Sequence, residues 1–427
     1  MKKIHLPQSN WYNAFFLALG YCLSLYFIQF FLVKAGIGTE VPNAVTLMRW
    51  DAGVYESLMR EGYTYPDERC NNTGQYILFP MVWRLLHVGV VGISIANMVL
   101  FSASFAIVCG MYPVSTKEKF LWLTTPSLYL MGVPYSESLF CFLTVLLFYA
   151  IKNNIKWLIW LSLVLLSLTR ATAIFLIPSL LIMELISNDR KLFLRSTANY
   201  LVNYALPIIA GLALFVLIQY YQVGIWFAYF KQQIKYLGHE WAFPKLPFQD
   251  YYGGPRVIWL CGLAALVCVV SLVVLAKHVY RWLVRNQKFD DKILTLTLSY
   301  FPLVLFSIVF CNPTWGGNTT NIFGLHRYTL CTPFIFVFLY HVIGESTKFK
   351  TKHFVYIFLV SNVIWLTMGS YIHIQYFLYW NFPTLIAFAY MLHNEQKYEW
   401  VLFALIGINV LIQVSLHQQF LTNLFPD

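Results

Sequence analysis

Apolar and polar stretches alternate along the whole chain, with apolar segments at about 11–33, 89–112, 120–133, 135–151, 157–169, 171–187, 197–221, 256–276, 293–311, 327–343, 353–372, 374–393 and 399–418. A hydrocarbon core about 30 Å thick takes roughly 20 apolar residues per helical crossing. Inside lipid a chain must satisfy its own backbone, which leaves helices and closed barrels. Runs of this length therefore predict an all-α polytopic membrane protein, read as a single integral-membrane domain over 1–427. Thirteen helices result if every segment crosses, and 11 if the short segments 120–133, 157–169 and 171–187 merge into tilted crossings. Either count puts the C-terminus on the side opposite the N-terminus. The first run is too long for a signal-peptide core and no small-residue cleavage site follows it, so it predicts a retained helix.

Two polar stretches are long enough to break this rhythm, 34–88 and 222–255. In "WDAGVYESLMREGY" and "QYILFPMVWRLLH" apolar residues recur at three- and four-residue intervals. That spacing predicts amphipathic helices lying at the bilayer surface. A third loop reads "CNPTWGGNTTNIFGLHRY". If the N-terminus with Lys2 and Lys3 is cytoplasmic, alternation assigns 18 of the 29 Lys and Arg residues to cytoplasmic loops and all three of these stretches to the outside. This is the bias expected of topology signals.

Composition agrees, at 59% hydrophobic and 11% charged, against about 25% charged in soluble domains. The net charge of +11 is spread through short loops, a pattern of membrane topology and not of nucleic-acid binding. Cys22, Cys109, Cys141, Cys261 and Cys268 lie inside apolar runs, where cysteine is a packing residue. Cys70 sits in a polar loop, and a disulfide there has no sequence support. There is no HExxH, HxxxH, DxD, Walker lysine loop, GxGxxG or GxSxG. The sequence thus points to no metal and no cofactor, and gives no support for ATP, NAD or acyl-serine chemistry.

The charges that topology does not explain are few. Arg49, Trp50, Asp51, Tyr55 and Glu56 fall in the first outer loop. On a helix Asp51 and Tyr55 share a face. The plain alternative is a solvated interfacial helix with a tryptophan anchor. Glu137, in "GVPYSESLFCFL", opens an apolar run. It needs a polar cavity or a cationic partner, unless Ser136 caps the helix and Glu137 only complements its dipole. Arg170 in "LSLTRATAIFLIP" is flanked by apolar residues, and "GLHRYTL" sets His326 and Arg327 at the start of a span. Arginines at such depth face the protein interior and bind an acid or a phosphate. A structural pair of Arg170 with Glu137 is the plain reading of the former, and snorkelling of the latter.

In order, "RWDAGVYESLMREGY", "FPMVWRLL", "PYSESLFCFL", "LSLTRATAIFLIP" and "HRYTL" resemble the motifs of the PIG-V family of membrane mannosyltransferases, in the GT-C glycosyltransferase superfamily. The aromatic loop "WFAYFKQQIKYLGHEW" is more loosely similar, and Ala173 stands where the family often has glycine. The resemblance implies a GT-C-type bundle of about 11–13 helices with interfacial helices in the first outer loop. It implies transfer of a sugar, mannose by the family's pattern, from a polyprenyl- or dolichyl-phosphate donor to a glycan or glycolipid acceptor. Such transfer takes place on the extracytoplasmic or lumenal side of a bacterial inner membrane or an endoplasmic reticulum membrane. Asp51 matches the family's acidic position and is the expected general base. Arg170 and Arg327, with His326 as a donor, are the expected ligands of the lipid phosphate. Arg49, Trp50, Tyr55, Tyr135, Glu137 and Trp241 are the expected supporting or substrate-contacting residues. Two other classes fit an all-helical basic membrane protein. A polyprenyl-linked saccharide flippase would line a central cavity with charge on both sides, and an O-antigen ligase or polymerase would carry its dominant outer loop late in the chain.

Overall fold

The computed structural model describes residues 8–65, 72–235, 238–249, 254–311, 319–346, 351–368, 380–381 and 399–423. Cys70, Trp315 and all but residues 380–381 of the predicted segment 374–393 lie outside them. The regular structure of the described residues is all helical, with two isolated bridges and no strand.

Among the described residues six helices are long and apolar enough to cross a membrane: Trp11–Lys34, Val90–Met111, Arg190–Val223, Val257–Arg285, Lys292–Cys311 and Trp400–Leu421. A seventh candidate is a broken pair, Pro126–Gly132 with Glu137–Asn153, bent by 101°. Four shorter apolar helices of 10–17 residues accompany them. The protein is thus a multi-pass α-helical membrane protein.

The first helix, α1 (Gln8–Lys34), shows how the sequence sorts lipid from core. Ala14, Ala18, Cys22 and Leu25 are buried, while Phe16, Phe27 and Phe31 are exposed. The buried positions recur every three to four residues and form one stripe, which packs on α4 (Val90–Met111). Between them the two predicted amphipathic segments fold as α2 (Asp51–Glu61) and α3 (Leu78–Leu86).

After α5 (Thr116–Leu123) the expected crossing 120–133 does not form. Pro126 begins a 3-10 segment (Pro126–Gly132), and the chain turns sharply at Pro134 into α6 (Glu137–Asn153). Proline cannot donate to the helical ladder, and Ser138 Oγ donates to the Met131 carbonyl at 2.7 Å, closing the turn instead.

α6 packs on α4 and on α7 (Lys156–Ser167). A break at 168–170 and a 3-10 turn (Ala171–Phe175) lead into α8 (Leu176–Ile186). α9 (Phe193–Tyr200) runs through a π segment (Leu201–Ala205) into α10 (Leu206–Val223), which returns along α7. Gly211 permits that approach, because a Cβ there would lie 2.7 Å from the Val164 carbonyl oxygen. α11 (Ala228–Lys235) is short and amphipathic. α12 (Gly254–Arg285), α13 (Lys292–Cys311), α14 (Leu325–Leu330), α15 (Phe334–Ser346) and α16 (Thr351–Thr367) follow. The last helix, α17 (Glu399–Leu421), packs on the Pro126–Gly132 turn and on α1.

Polar residues concentrate at two ends. At one, Glu184 meets Asn199 (2.7 Å) and Lys292 (3.5 Å), and Arg190 donates to the Leu283 carbonyl. At the other end α2, the start of α6, the 168–170 break and α14 come together.

Candidate active site

Asn43 begins the approach to α2. Its Oδ1 accepts from the backbone N–H groups of Val45 and Thr46, an Asx turn that redirects the chain toward Trp50. Trp50 then takes φ +50°, a left-handed conformation rare for an aromatic residue. Such strain costs about 1–3 kcal/mol and collects at functional sites. Its effect is to start α2 at Asp51, whose carboxylate sits in the first turn, at the positive end of the helix dipole.

Glu137 is delivered by the bent turn. The Asn97 amide, on α4, donates to the carbonyls of Val133 (2.6 Å) and Tyr135 (2.9 Å), and the Tyr26 hydroxyl donates to the Gly132 carbonyl at 2.8 Å. These bonds pin the backbone immediately ahead of α6. Ser136 does not cap that helix through its side chain. Its hydroxyl pairs instead with the buried Tyr55 hydroxyl at 2.9 Å, tying α2 to α6. Burial pushes the Tyr55 phenol well up from its ordinary range, which keeps it a neutral hydroxyl.

Arg170 sits where α7 ends, and the Leu168 carbonyl accepts from the Leu78 N–H at 3.0 Å, fastening this break to α3. The Arg170 guanidinium lies between the rings of Tyr328 (5.2 Å) and Phe140 (6.0 Å). Arg327 comes from α14, which starts after Gly324 at φ +75°, a turn that suits glycine.

The four charged groups meet. Arg327 Nε and Nη2 donate to Glu137 Oε1 at 3.0 and 2.8 Å, and Arg170 Nη1 lies 2.9 Å from the same oxygen. Arg327 Nη2 also donates to Asp51 Oδ2 at 3.1 Å, while Gln75 Nε2 donates to Asp51 Oδ1 at 3.3 Å. The Tyr135 ring supports Arg327 from 4.9 Å. Two carboxylates and two guanidinium ions balance, and balance matters because a lone buried ion costs several kcal/mol. Glu137 is fully buried, whereas the Asp51 side chain is 31% exposed. Asp51 is therefore the carboxylate of the four that an incoming molecule reaches.

Other expected residues lie apart from this cluster. His326 is fully buried, with Nδ1 3.5 Å from Cys261 Sγ and no hydrogen-bond partner on Nε2 among the described residues. Its position on α14 turns it toward α12 while its neighbour Arg327 faces Glu137. Trp241 stacks on Phe310 at 5.3 Å, at the C-terminal end of α13. Trp50 is partly exposed beside Asp51. Arg49 lends its carbonyl to the Tyr135 hydroxyl, at 3.5 Å. Glu56 pairs with Arg60 one turn away at 2.7 Å and takes no part in the cluster. Arg327, at 7% side-chain exposure, is turned inward and does not snorkel.

Gln75, Asn97, Phe140 and Tyr328 complete the site, and the sequence reading does not single them out; Ser136, read there as a helix cap, instead ties α2 to α6. Asn97 carries a readable signal, an amide in the middle of an apolar span. The described residues hold no group of three or more His, Cys, Asp or Glu side chains of the kind that binds a metal ion. Comparison with protein-family models, curated proteins and solved structures found no match.

Proposed function

We propose that the protein is a GT-C-type glycosyltransferase, a mannosyltransferase by its resemblance to PIG-V, that moves a sugar from a polyprenyl- or dolichyl-phosphate donor to a glycan or glycolipid acceptor with inversion. One observation carries the reading. Asp51, Glu137, Arg170 and Arg327 come from four of the motifs that make the resemblance, and they form one contiguous ion cluster.

The chemistry follows from the groups. An acceptor hydroxyl is a weak nucleophile, and Asp51 takes its proton as the oxygen bonds to the anomeric carbon. The bond from that carbon to the lipid-phosphate oxygen breaks, and its electron pair leaves on the phosphate. A cationic neighbourhood lowers the cost of that charge. One reachable carboxylate suits a single displacement, which inverts the anomeric centre.

An apolar cavity of about 620 Å³ adds support for a lipid-linked donor. Leu58 and Met59 of α2, Ile77, Pro80, Met81 and Leu85 around α3, and Leu217 and Ile218 of α10 line it. Leu58 lies seven residues after Asp51, about 10 Å along the same helix. A hydrocarbon chain seated there keeps its phosphate near the ion cluster. The buried charge at the opposite end, Glu184, is separated from Arg170 by the length of α8, and among the described residues no line of charge joins the two as a flippase would require.

The reading places the cluster outside and the 285–292 loop in the cytoplasm. In intact cells an impermeant thiol reagent should label a cysteine at Glu61 and spare one at Gln287; the opposite pattern would overturn this orientation. In reconstituted vesicles, polyprenyl-phosphate mannose should yield free polyprenyl phosphate in step with sugar transfer. Passage of intact donor across the bilayer without its cleavage would make the protein a transporter.

A further inference from the structure

The ion cluster sets apart one cation. Arg327 spends Nε and Nη2 on Glu137 and Asp51, and Arg170 spends Nη1 on Glu137, so each already faces a protein carboxylate. Arg49 has no acid within ion-pair distance among the described residues. Its Nε is buried with no hydrogen-bond acceptor there. A buried guanidinium N–H without an acceptor is costly, and a cationic donor of this kind is suited to an anionic partner.

Its backbone is tied to the site. The Tyr135 hydroxyl holds the Arg49 carbonyl, and the Tyr135 ring stacks on Arg327. The strained Trp50 separates Arg49 from Asp51 by a single residue. Arg49 thus adds, two residues before Asp51, a positive charge that the ion pairs of the cluster do not balance.

We propose that Arg49 is the principal ligand of an anionic oxygen group at this site, the phosphate of the donor, and that Arg327 is a positioning residue that holds Asp51 in place. The assignment rests on the proposed function for the identity of the anion but not for the existence of the anion site. It differs from the sequence expectation, which gives the phosphate to Arg170, Arg327 and His326. Arg170 contributes from the far side of Glu137. A planar guanidinium can grip two phosphate oxygens, which an ammonium cannot match.

The test is equilibrium binding of polyprenyl phosphate to the full-length protein in nanodiscs, followed by native mass spectrometry, with inorganic phosphate as a second probe. Arg49→Gln should weaken polyprenyl phosphate at least tenfold, and Arg49→Lys should restore only part of the loss. Arg60→Gln, an exposed cation of the same loop paired with Glu56, should bind as the parent does. Melting temperature measured alongside guards against misfolding, and a variant that melts as the parent yet binds within twofold of it overturns the assignment. An equal loss in Arg60→Gln also overturns it, because the effect would then be the loop's general charge. A parent that is stabilised by inorganic phosphate through Arg49 but ignores polyprenyl phosphate keeps the anion site and sinks the lipid-donor reading. A parent that responds to neither probe sinks both.

Discussion

Asp51→Asn should give a folded protein that still binds donor and transfers sugar about 10²-fold to 10⁴-fold more slowly, the usual worth of a positioned general base. The amide keeps the shape of the side chain: its one oxygen can still accept from Arg327, and the Gln75 amide can turn over to accept from the new N–H group, so the architecture has no reason to collapse. What it loses is the ability to take a proton. Glu56→Gln is the matched control, because Glu56 lies on the same helix, is paired with Arg60 and stands outside the cluster. Single-turnover rates with preloaded donor separate chemistry from binding. An Asp51→Asn enzyme as fast as the parent, or a Glu56→Gln enzyme as slow as Asp51→Asn should be, removes Asp51 from the base role.

Glu137→Gln carries the second large effect, on stability. Glu137 Oε1 receives Arg327 and Arg170 together in a fully buried position. Neutralising it leaves two guanidinium ions facing each other with only Asp51 to compensate. Breaking a buried ion pair by removing one partner costs about 3–5 kcal/mol, a large share of a domain's total of about 5–15 kcal/mol. The variant should melt well below the parent in detergent or nanodiscs and should express poorly. Glu184→Gln offers a comparison, since its partner Lys292 is 39% exposed and can turn to water; the drop there should be smaller. Equal melting of Glu137→Gln and the parent would mean that the cluster does not hold together this end of the bundle.

Much of the fold is written in the hydrophobic pattern. The segments 11–33, 89–112 and 293–311 correspond to α1, α4 and α13 within a few residues, because lipid imposes one length on any helix that crosses it. The three- and four-residue spacing in the first outer loop foretells α2 and α3. The pattern fails at 120–133, where an apolar run folds as a short helix and a 3-10 turn. Hydropathy cannot see the bond from Ser138 to Met131 or the two prolines that make the bend. The unexplained charges were legible one by one, since each is expensive at its depth. Glu137 with Arg170 is a pair within reach of sequence reasoning. Arg327 with Glu137 joins residues 190 positions apart, and no local pattern encodes that meeting. His326 shows the limit from the other direction, as its neighbour faces the cluster while it packs against Cys261.

The central claim is that this cluster moves sugar from a lipid phosphate. Its most direct test presents the purified protein, in nanodiscs with membrane glycolipids as acceptors, with a panel of radiolabelled polyprenyl-phosphate sugars and nucleotide sugars. The account predicts label transferred from a polyprenyl-phosphate sugar, mannose first among them, none from a nucleotide sugar, and loss of transfer in Asp51→Asn. Transfer from a nucleotide sugar, or no transfer from any lipid-linked donor by a protein that binds those donors, would contradict it.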